Sequence, residues 1–391
     1  MTGWVYFRIN MQDIKHIERF KAGTFENGYD YRYFVPNTIN HQWQWTDGSL
    51  NERLERASIK LGELNSFARL VPNIDLFIHL HVTKEAVISS RIEGTQTTMN
   101  EALLPFEEIS PEKRDDWHEV QNYTQALNNA IESLETLPLS SRLLRNSHET
   151  LMQGVRGEDK TPGEFRTSQN WIGGASPADA VFIPPAHIYV QDLMSDLEKF
   201  LHNRTIHVPS LIRIGLAHYQ FETIHPFLDG NGRVGRLLIP LYLVSEKILE
   251  KPLLYLSYFF ERNKSLYYDN LTRVRERNDL LTWLKYFLVG VEQTATQAVE
   301  TLKGIMILKA DLENEISKEL GKRSNSASSL INAMFRDPVV TKTEVQEICN
   351  LSKKAASELV NTFRERRYLR EITGNVRNQV FIFDPYIKLF E

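Results

Sequence analysis

The 391-residue sequence predicts an all-α fold, interrupted by one irregular β-hairpin, and after residue 325 a small unit of three helices and a terminal hairpin. Three observations predict it. Apolar residues recur at helical spacing through most of the chain. The stretch "FRTSQNWIGGASPADAVFIPPAHI" (165–188) breaks that period with glycine pairs and prolines. The polar cluster "GKRSNSAS" (321–328) separates a long helical run from shorter elements.

The elements follow in order. In 49–70, Leu50, Leu54, Ala57, Leu61 and Leu64 share one helical face. The segment 83–94 is expected to start at a cap-like Thr83 and stop at Gly94. Amphipathic stretches over 115–135, 141–155, 189–204 and 210–227 are further helices, and helical periodicity resumes over 232–249. Two more helical runs cover 265–277 and 280–320. In 165–188 two short β-prone runs flank "GGASPAD", and "IPP" limits the second to an edge. These elements group into an N-terminal helical region (1–110), a helical core (111–300), a connecting helix and linker (301–325) and the C-terminal unit (326–391).

Composition narrows the function classes. A net charge of −4 gives no global attraction to nucleic acid or anionic lipid, though local patches remain open. A single cysteine, Cys349, excludes an internal disulfide framework and a cysteine zinc site, and fits a reducing cytoplasm. The first twenty residues show no apolar leader, and no run of 18 apolar residues exists, so no membrane association is expected.

Chemistry concentrates in "HPFLDGNGRVGR" (225–236), directly after the apolar "LIRIGLAHYQFETI". Gly230 and Gly232 around Asn231 let backbone N–H groups converge, and a helix beginning near Gly232 adds its positive end. Such a bend is an anion nest suited to phosphate. Arg233 and Arg236, three residues apart, present guanidinium groups to phosphate oxygens. Asp229 on the lip is a hard carboxylate suited to Mg²⁺. His225 stands where a neutral imidazole can take a proton from a hydroxyl. The set reads as a site for a nucleoside triphosphate, Mg²⁺ and a general base. A plain turn explains "DGNG" but not the arginines and histidine in register. A zinc face of His218, Glu222, His225 and Asp229 is the other alternative, and it would leave the glycines idle. A kinase-like site lacks its strand-borne lysine and catalytic loop.

These residues resemble the Fic signature HxFx[DE]GNGRxxR, matched at His225, Phe227, Asp229, Gly230, Asn231, Gly232, Arg233 and Arg236. "GEFRTSQNWIGG" and "FIPP" are similar to the family's flap, and 266–291 is similar to its later helices, so the resemblance covers about 300 of 391 residues. It implies a mainly helical Fic core with a β-hairpin flap, and adenylylation: transfer of AMP from ATP to a Ser, Thr or Tyr hydroxyl of a target protein, with release of pyrophosphate. On that resemblance His225 is the base and Asp229 holds Mg²⁺ against the α and β phosphates. Asn231 and the amides around Gly230 and Gly232 hold the α phosphate, while Arg233 and Arg236 bind the outer phosphates. Only the choice of AMP rather than phosphate transfer comes from the family. Adenine contacts are expected from Tyr267, Tyr268 and Asn278.

"SSRIEGT" (89–95) then gains meaning, because Ser89, Glu93 and Gly94 match the family's inhibitory motif [ST]xxxE[GN]. A Glu93–Arg236 pair would withdraw that guanidinium from the γ phosphate, so that ATP binds misaligned for in-line attack. Some family members also use this glutamate in removing AMP, which makes a bifunctional enzyme the alternative. The hairpin over 166–184 can accept an extended target segment by strand addition.

The C-terminal stretch "TKTEVQEICNLSKKAASELVNTF" resembles a helix-turn-helix with "YLREITGNVRNQVFIF" as its wing, a small winged-helix domain. Residues 351–380 carry seven Lys or Arg against three Glu, a modest excess of +4. Such modules bind DNA or protein. A winged-helix DNA-binding regulator with the Fic core as nucleotide sensor is therefore the competing class, and the sequence is compatible with a homodimer.

Overall fold

The computed structural model describes residues 14–71, 74–319 and 321–390. Residues 1–13, part of the segment read for a leader, lie outside them.

The N-terminal region is not helical throughout. It opens with β1 (Ile14–His16), β2 (Gly23–Asn27), β3 (Arg32–Pro36) and β4 (Gln42–Gln44). Strands β2 and β3 form an antiparallel hairpin, and β1 pairs in parallel with β4. These strands are only three to five residues long, too short for an alternating pattern to rise above the noise. Trp43 and Phe34 fix them on the core, each almost fully buried.

Helices follow: α1 (Gly48–Ala68), α2 (Ile74–Ile92), α3 (Met99–Ala102), α4 (Arg114–Ser133), α5 (Ser141–Leu151), α6 (Val190–His202), α7 (Ser210–Ile224), α8 (Asn231–Ser245), α9 (Ser257–Arg262), α10 (Lys264–Arg277) and α11 (Leu280–Glu319). Asp47 caps α1 by accepting the Leu50 N–H at 2.8 Å. Helix α2 begins nine residues before the expected Thr83. Thr83 is buried mid-helix, where its hydroxyl donates to the His79 carbonyl instead of capping. Helix α7 is buried on every side from Leu211 to Ile224 and forms the axis of the core. The 40-residue α11 packs along α1 and crosses α7, where Trp283 Nε1 donates to the Gly215 carbonyl at 2.8 Å. It also runs through the boundary drawn at residue 300, because its apolar face continues to Leu312 and Ile316.

The expected hairpin over 165–188 is mostly loop. Its only ladder contact among the described residues is the antiparallel bridge Ile172↔Phe182. The Asp179 carboxylate closes the tip by accepting N–H bonds from Ala175 and Ser176. Strand β3 supports its far end, with Phe34 N–H donating to the Ile183 carbonyl at 2.9 Å.

The C-terminal unit contains α12 (Ser324–Met334), β5 (Val339–Thr341), α13 (Lys342–Cys349), α14 (Lys353–Glu365), β6 (Leu369–Glu371), β7 (Val380–Phe383) and α15 (Asp384–Ile387). The three main helices and the hairpin appear where expected. Strand β5, unforeseen because it is three residues long, completes an antiparallel sheet in the order β5-β7-β6. Most of the polar cluster 321–328 is helical rather than an open linker. Of the seven basic residues counted there, Arg366 pairs with Glu315 at 2.5 Å and Arg370 with Asp384, which reduces the free positive charge.

Candidate active site

The bend between α7 and α8 is built by the backbone. Helix α7 ends on His225 in the left-handed region (φ 51°, ψ 60°), its N–H bonded to the Phe221 carbonyl. A non-glycine residue there needs outside support. Arg166 provides it: Nε donates to the His225 carbonyl at 2.9 Å, and Nη2 to the carbonyls of Pro185 and Ile224. Asn170 Nδ2 donates to the His225 and Phe227 carbonyls. Gly230 (φ 72°) then starts α8, and among the described residues no side chain caps that helix. Its first amide donors are therefore left without a side-chain cap, as an anion nest requires.

Around this bend, His225 Nδ1 is buried without a hydrogen-bond partner among the described residues. Burial, with the charges of Arg275 and Arg166, depresses its pKa to about 3, so the ring is neutral at physiological pH. Asp229 is exposed at the lip, and one of its carboxylate oxygens accepts the Gly230 N–H. His148 positions that turn from behind. It stacks on Phe227 with centroids 3.9 Å apart, donates from Nε2 to the Asp229 carbonyl, and accepts the Gly163 N–H at Nδ1. Among the described residues no three His, Cys, Asp or Glu side chains cluster for a metal. A lone exposed carboxylate beside a phosphate nest suits Mg²⁺, which takes one or two carboxylates and completes its shell with phosphates and water.

The two arginines part company. Arg236 is buried; its Nε donates to Ser89 Oγ at 2.7 Å, and Nη2 donates to the Ser89 carbonyl at 2.9 Å and to Glu93 Oε1 at 2.6 Å. Burial raises the Glu93 pKa, but the charge and hydrogen bond of Arg236 outweigh it and leave the carboxyl below its usual range. The same Glu93 oxygen lies over Gly232, so close that a methyl placed there would collide with it. A carboxylate thus stands at the mouth of the nest. Arg233 instead turns to Glu119, 3.0 Å away and equally buried, and Glu119 also holds Arg156 at 2.8 Å.

Several expected roles need correction. The Asn231 amide closes the bend on itself: Oδ1 accepts the Phe227 N–H at 2.8 Å, and Nδ2 donates to the Phe227 carbonyl at 2.9 Å. One N–H is left over for a phosphate. Tyr267 is 1% exposed and its hydroxyl is bonded to His218 Nε2, so it offers no face to adenine. Asn278 is the left-handed end of α10 and accepts the Ala22 N–H at 2.7 Å, a structural cap. Tyr268 is 39% exposed and stays available. His218 spends Nδ1 on the Gly235 carbonyl and Nε2 on Tyr267, so the zinc face is not assembled. Sequence reasoning missed Glu119 and His148 as site builders, and knew Arg166 and Asn170 only as parts of a quoted stretch. Nothing in their local sequence marks them, because each acts across more than fifty residues.

Comparison with known proteins agrees with this picture. Residues 51–132 match the "Fic/DOC family N-terminal" model, and residues 138–243 match the "Fic/DOC family" model. Protein adenylyltransferase fic-1 of Caenorhabditis briggsae is 35% identical over 83 residues, 21% of this chain and 15% of that protein. Protein adenylyltransferase Fic of Drosophila melanogaster is 40% identical over 85 residues, again 21% and 15%. The chain thus spans about a seventh of the length of these relatives. The crystal structure of a Fic family protein from Desulfovibrio desulfuricans superposes over 86% of this chain and 96% of that one, with a TM-score of 0.54 at 20% identity, a likeness of fold. With the two family regions consecutive and the motif 225–236 at the head of α8, the chain belongs to the Fic/DOC family.

Proposed function

We propose that the protein is an adenylyltransferase that moves AMP from ATP to a Ser, Thr or Tyr hydroxyl of a target protein, and that Glu93 holds it back. The observation that carries this reading is the Glu93 carboxylate, seated on Arg236 and over Gly232 where an anion belongs. In the reaction the hydroxyl oxygen bonds to the α phosphorus, its proton passes to neutral His225, and the bond to the bridging oxygen of the β phosphate breaks, releasing pyrophosphate. The free amides of the α8 first turn and the spare N–H of Asn231 stabilise the α phosphate as charge builds on it. Asp229 would hold Mg²⁺, which neutralises phosphate charge. Once Glu93 leaves, Arg236 is free to take the outer phosphates, and the fixed pose aligns the leaving group for in-line attack. Arg233 stays paired with Glu119, which holds its guanidinium beside the nest. The flap tip, with Val181 and Trp171 exposed, is the proposed docking edge for an extended target segment.

The test is mass spectrometry of the Glu93→Gly protein after incubation with Mg·ATP. An AMP adduct on the chain itself, absent from a Glu93→Gly/His225→Ala double variant, is the expected result. No adduct despite bound ATP overturns the reading.

A further inference from the structure

Helix α2 carries Ser89 and Glu93 to Arg236 on one face and walls a separate cavity with another. That cavity, of about 280 Å³, lies between α2, α9 and α11, and Phe390 beyond α15 closes one side. None of the nest residues lines it. Among the side chains that line it, Ile88, Phe259 and Ala298 are apolar and buried. Its mouth holds two cations on one ring: Lys84 Nζ lies 4.8 Å from the Tyr258 ring centroid, and Arg262 Cζ lies 5.5 Å from it. Among the described residues the buried arginines have anionic or carbonyl partners, as Arg233, Arg236 and Arg166 do. Half-buried Lys84 and Arg262, exposed at the mouth, have no carboxylate partner among the described residues. Burial lowers the Lys84 pKa, as expected of an ammonium without a counter-charge. The one acid in the wall, Glu85, is committed to Tyr123 and Ser257, which donate to its Oε1. Burial lifts its pKa to about 7, which weakens its repulsion of an incoming anion.

A cavity that sets apolar side chains beside two cations without a carboxylate partner selects an anion with a flat apolar body. We propose that this cavity binds a small aromatic oxyanion, a carboxylate or phosphate on a single ring, and that the bound anion ties Lys84 of α2 to Arg262 of α9 and so holds Glu93 on Arg236. The binding claim stands on the cavity alone; the effect on Glu93 rests on the adenylyltransferase reading.

The experiment is isothermal titration of the full chain with benzoate and phenyl phosphate, with inorganic phosphate as the control for charge alone. The expected result is one site per chain for the ring-bearing probes and little binding of inorganic phosphate. Lys84→Ala and Arg262→Ala should each weaken the probes about tenfold. Gln297→Trp, on the exposed rim, should block them without disturbing the fold. By reciprocity, Glu93→Gly should weaken probe binding about threefold or more, because the untethered helix must first be pinned. No binding at millimolar concentrations in the wild type overturns the proposal. So does an affinity indifferent to Lys84→Ala but altered by Arg233→Lys, which puts the probe in the active-site nest. Equal affinity in wild type and Glu93→Gly overturns the coupling. Probe binding that persists in a protein that forms no AMP adduct sinks the adenylyltransferase reading alone.

Discussion

Glu93 Oε1 lies 2.6 Å from Arg236 Nη2, and the partners are unequally placed: the arginine side chain is 2% exposed, the glutamate 34%. Losing the glutamate therefore strands a buried cation that, among the described residues, keeps only Ser89 as hydrogen-bond partner. Glu93→Gly is expected to raise self-adenylylation about tenfold or more while lowering the stability of the ligand-free protein by ~1–3 kcal/mol, less than for a fully buried pair because Glu93 is partly hydrated. Saturating Mg·ATP should restore the melting temperature of the variant more than that of the wild type, since the triphosphate supplies the missing anion. Thermal melts with and without nucleotide check this. An equal ligand-induced rise in both proteins would refute the competition.

Glu119 gives a second prediction. It neutralises buried Arg233 and reaches Arg156 with its other oxygen. Glu119→Ala should destabilise the fold by about 2–4 kcal/mol, since a buried guanidinium loses the carboxylate that pairs with it. In the Glu93→Gly background it should also lower kcat/KM for ATP about tenfold, by releasing Arg233 from its place beside the nest. Glu119→Gln keeps hydrogen bonds but not charge and should recover part of the stability. Urea melts and single-turnover labelling measure the two effects separately.

The long helices and the functional bend were legible because their signals are local. The period of Leu50 to Leu64 lies in α1 itself, and His225 to Arg236 is one contiguous stretch. The contact between Glu93 and Arg236 was legible too, as two short motifs whose chemistry is complementary, though they stand 143 residues apart. What stayed hidden depends on tertiary contact. Arg166 looks like any arginine until the fold brings the carbonyls of Ile224 and His225 to it. Tyr267 and Asn278 looked accessible because helical spacing does not say which face is covered; His218 and Ala22 cover them. Strands β1 to β4 pair over too few residues for alternation to register.

Acid sensitivity follows from burial. His81, His148, His218 and His225 are held near 3, 4, 3 and 3, chiefly by burial, against the usual 6.5. Their folded pKa values are depressed, so the unfolded chain takes up these protons first and stability falls as pH drops below about 6.5. Glu85 and Glu222, raised by burial to about 7 from 4.5, act in the opposite sense between those values. Four histidines against two glutamates leave about two extra protons on the unfolded chain between pH 6 and 5. Stability should therefore fall by on the order of 2–3 kcal/mol per pH unit over that range. Urea midpoints at pH 7, 6 and 5 test it; a flat profile would mean that these side chains are hydrated in solution.

Gly232 separates the two roles of the nest. A Cβ there would strike Glu93 Oε1 and come within 2.9 Å of Arg236 Nη1. Gly232 sits within α8, so alanine suits the backbone and the fold should hold. The methyl must displace Glu93, so Gly232→Ala alone resembles a weakened inhibitor. It also fills the space a phosphate needs, because the nest works by close approach of backbone to oxygen. The expected outcome is that Gly232→Ala does not reproduce the gain of Glu93→Gly, and that the double variant loses about tenfold or more of that gain with KM for ATP raised. If the methyl merely released the carboxylate and left the nest open, Gly232→Ala would label itself as fast as Glu93→Gly. In that event the triphosphate must sit away from the first turn of α8, and the inhibition would be a matter of charge on Arg236 rather than of occupied space.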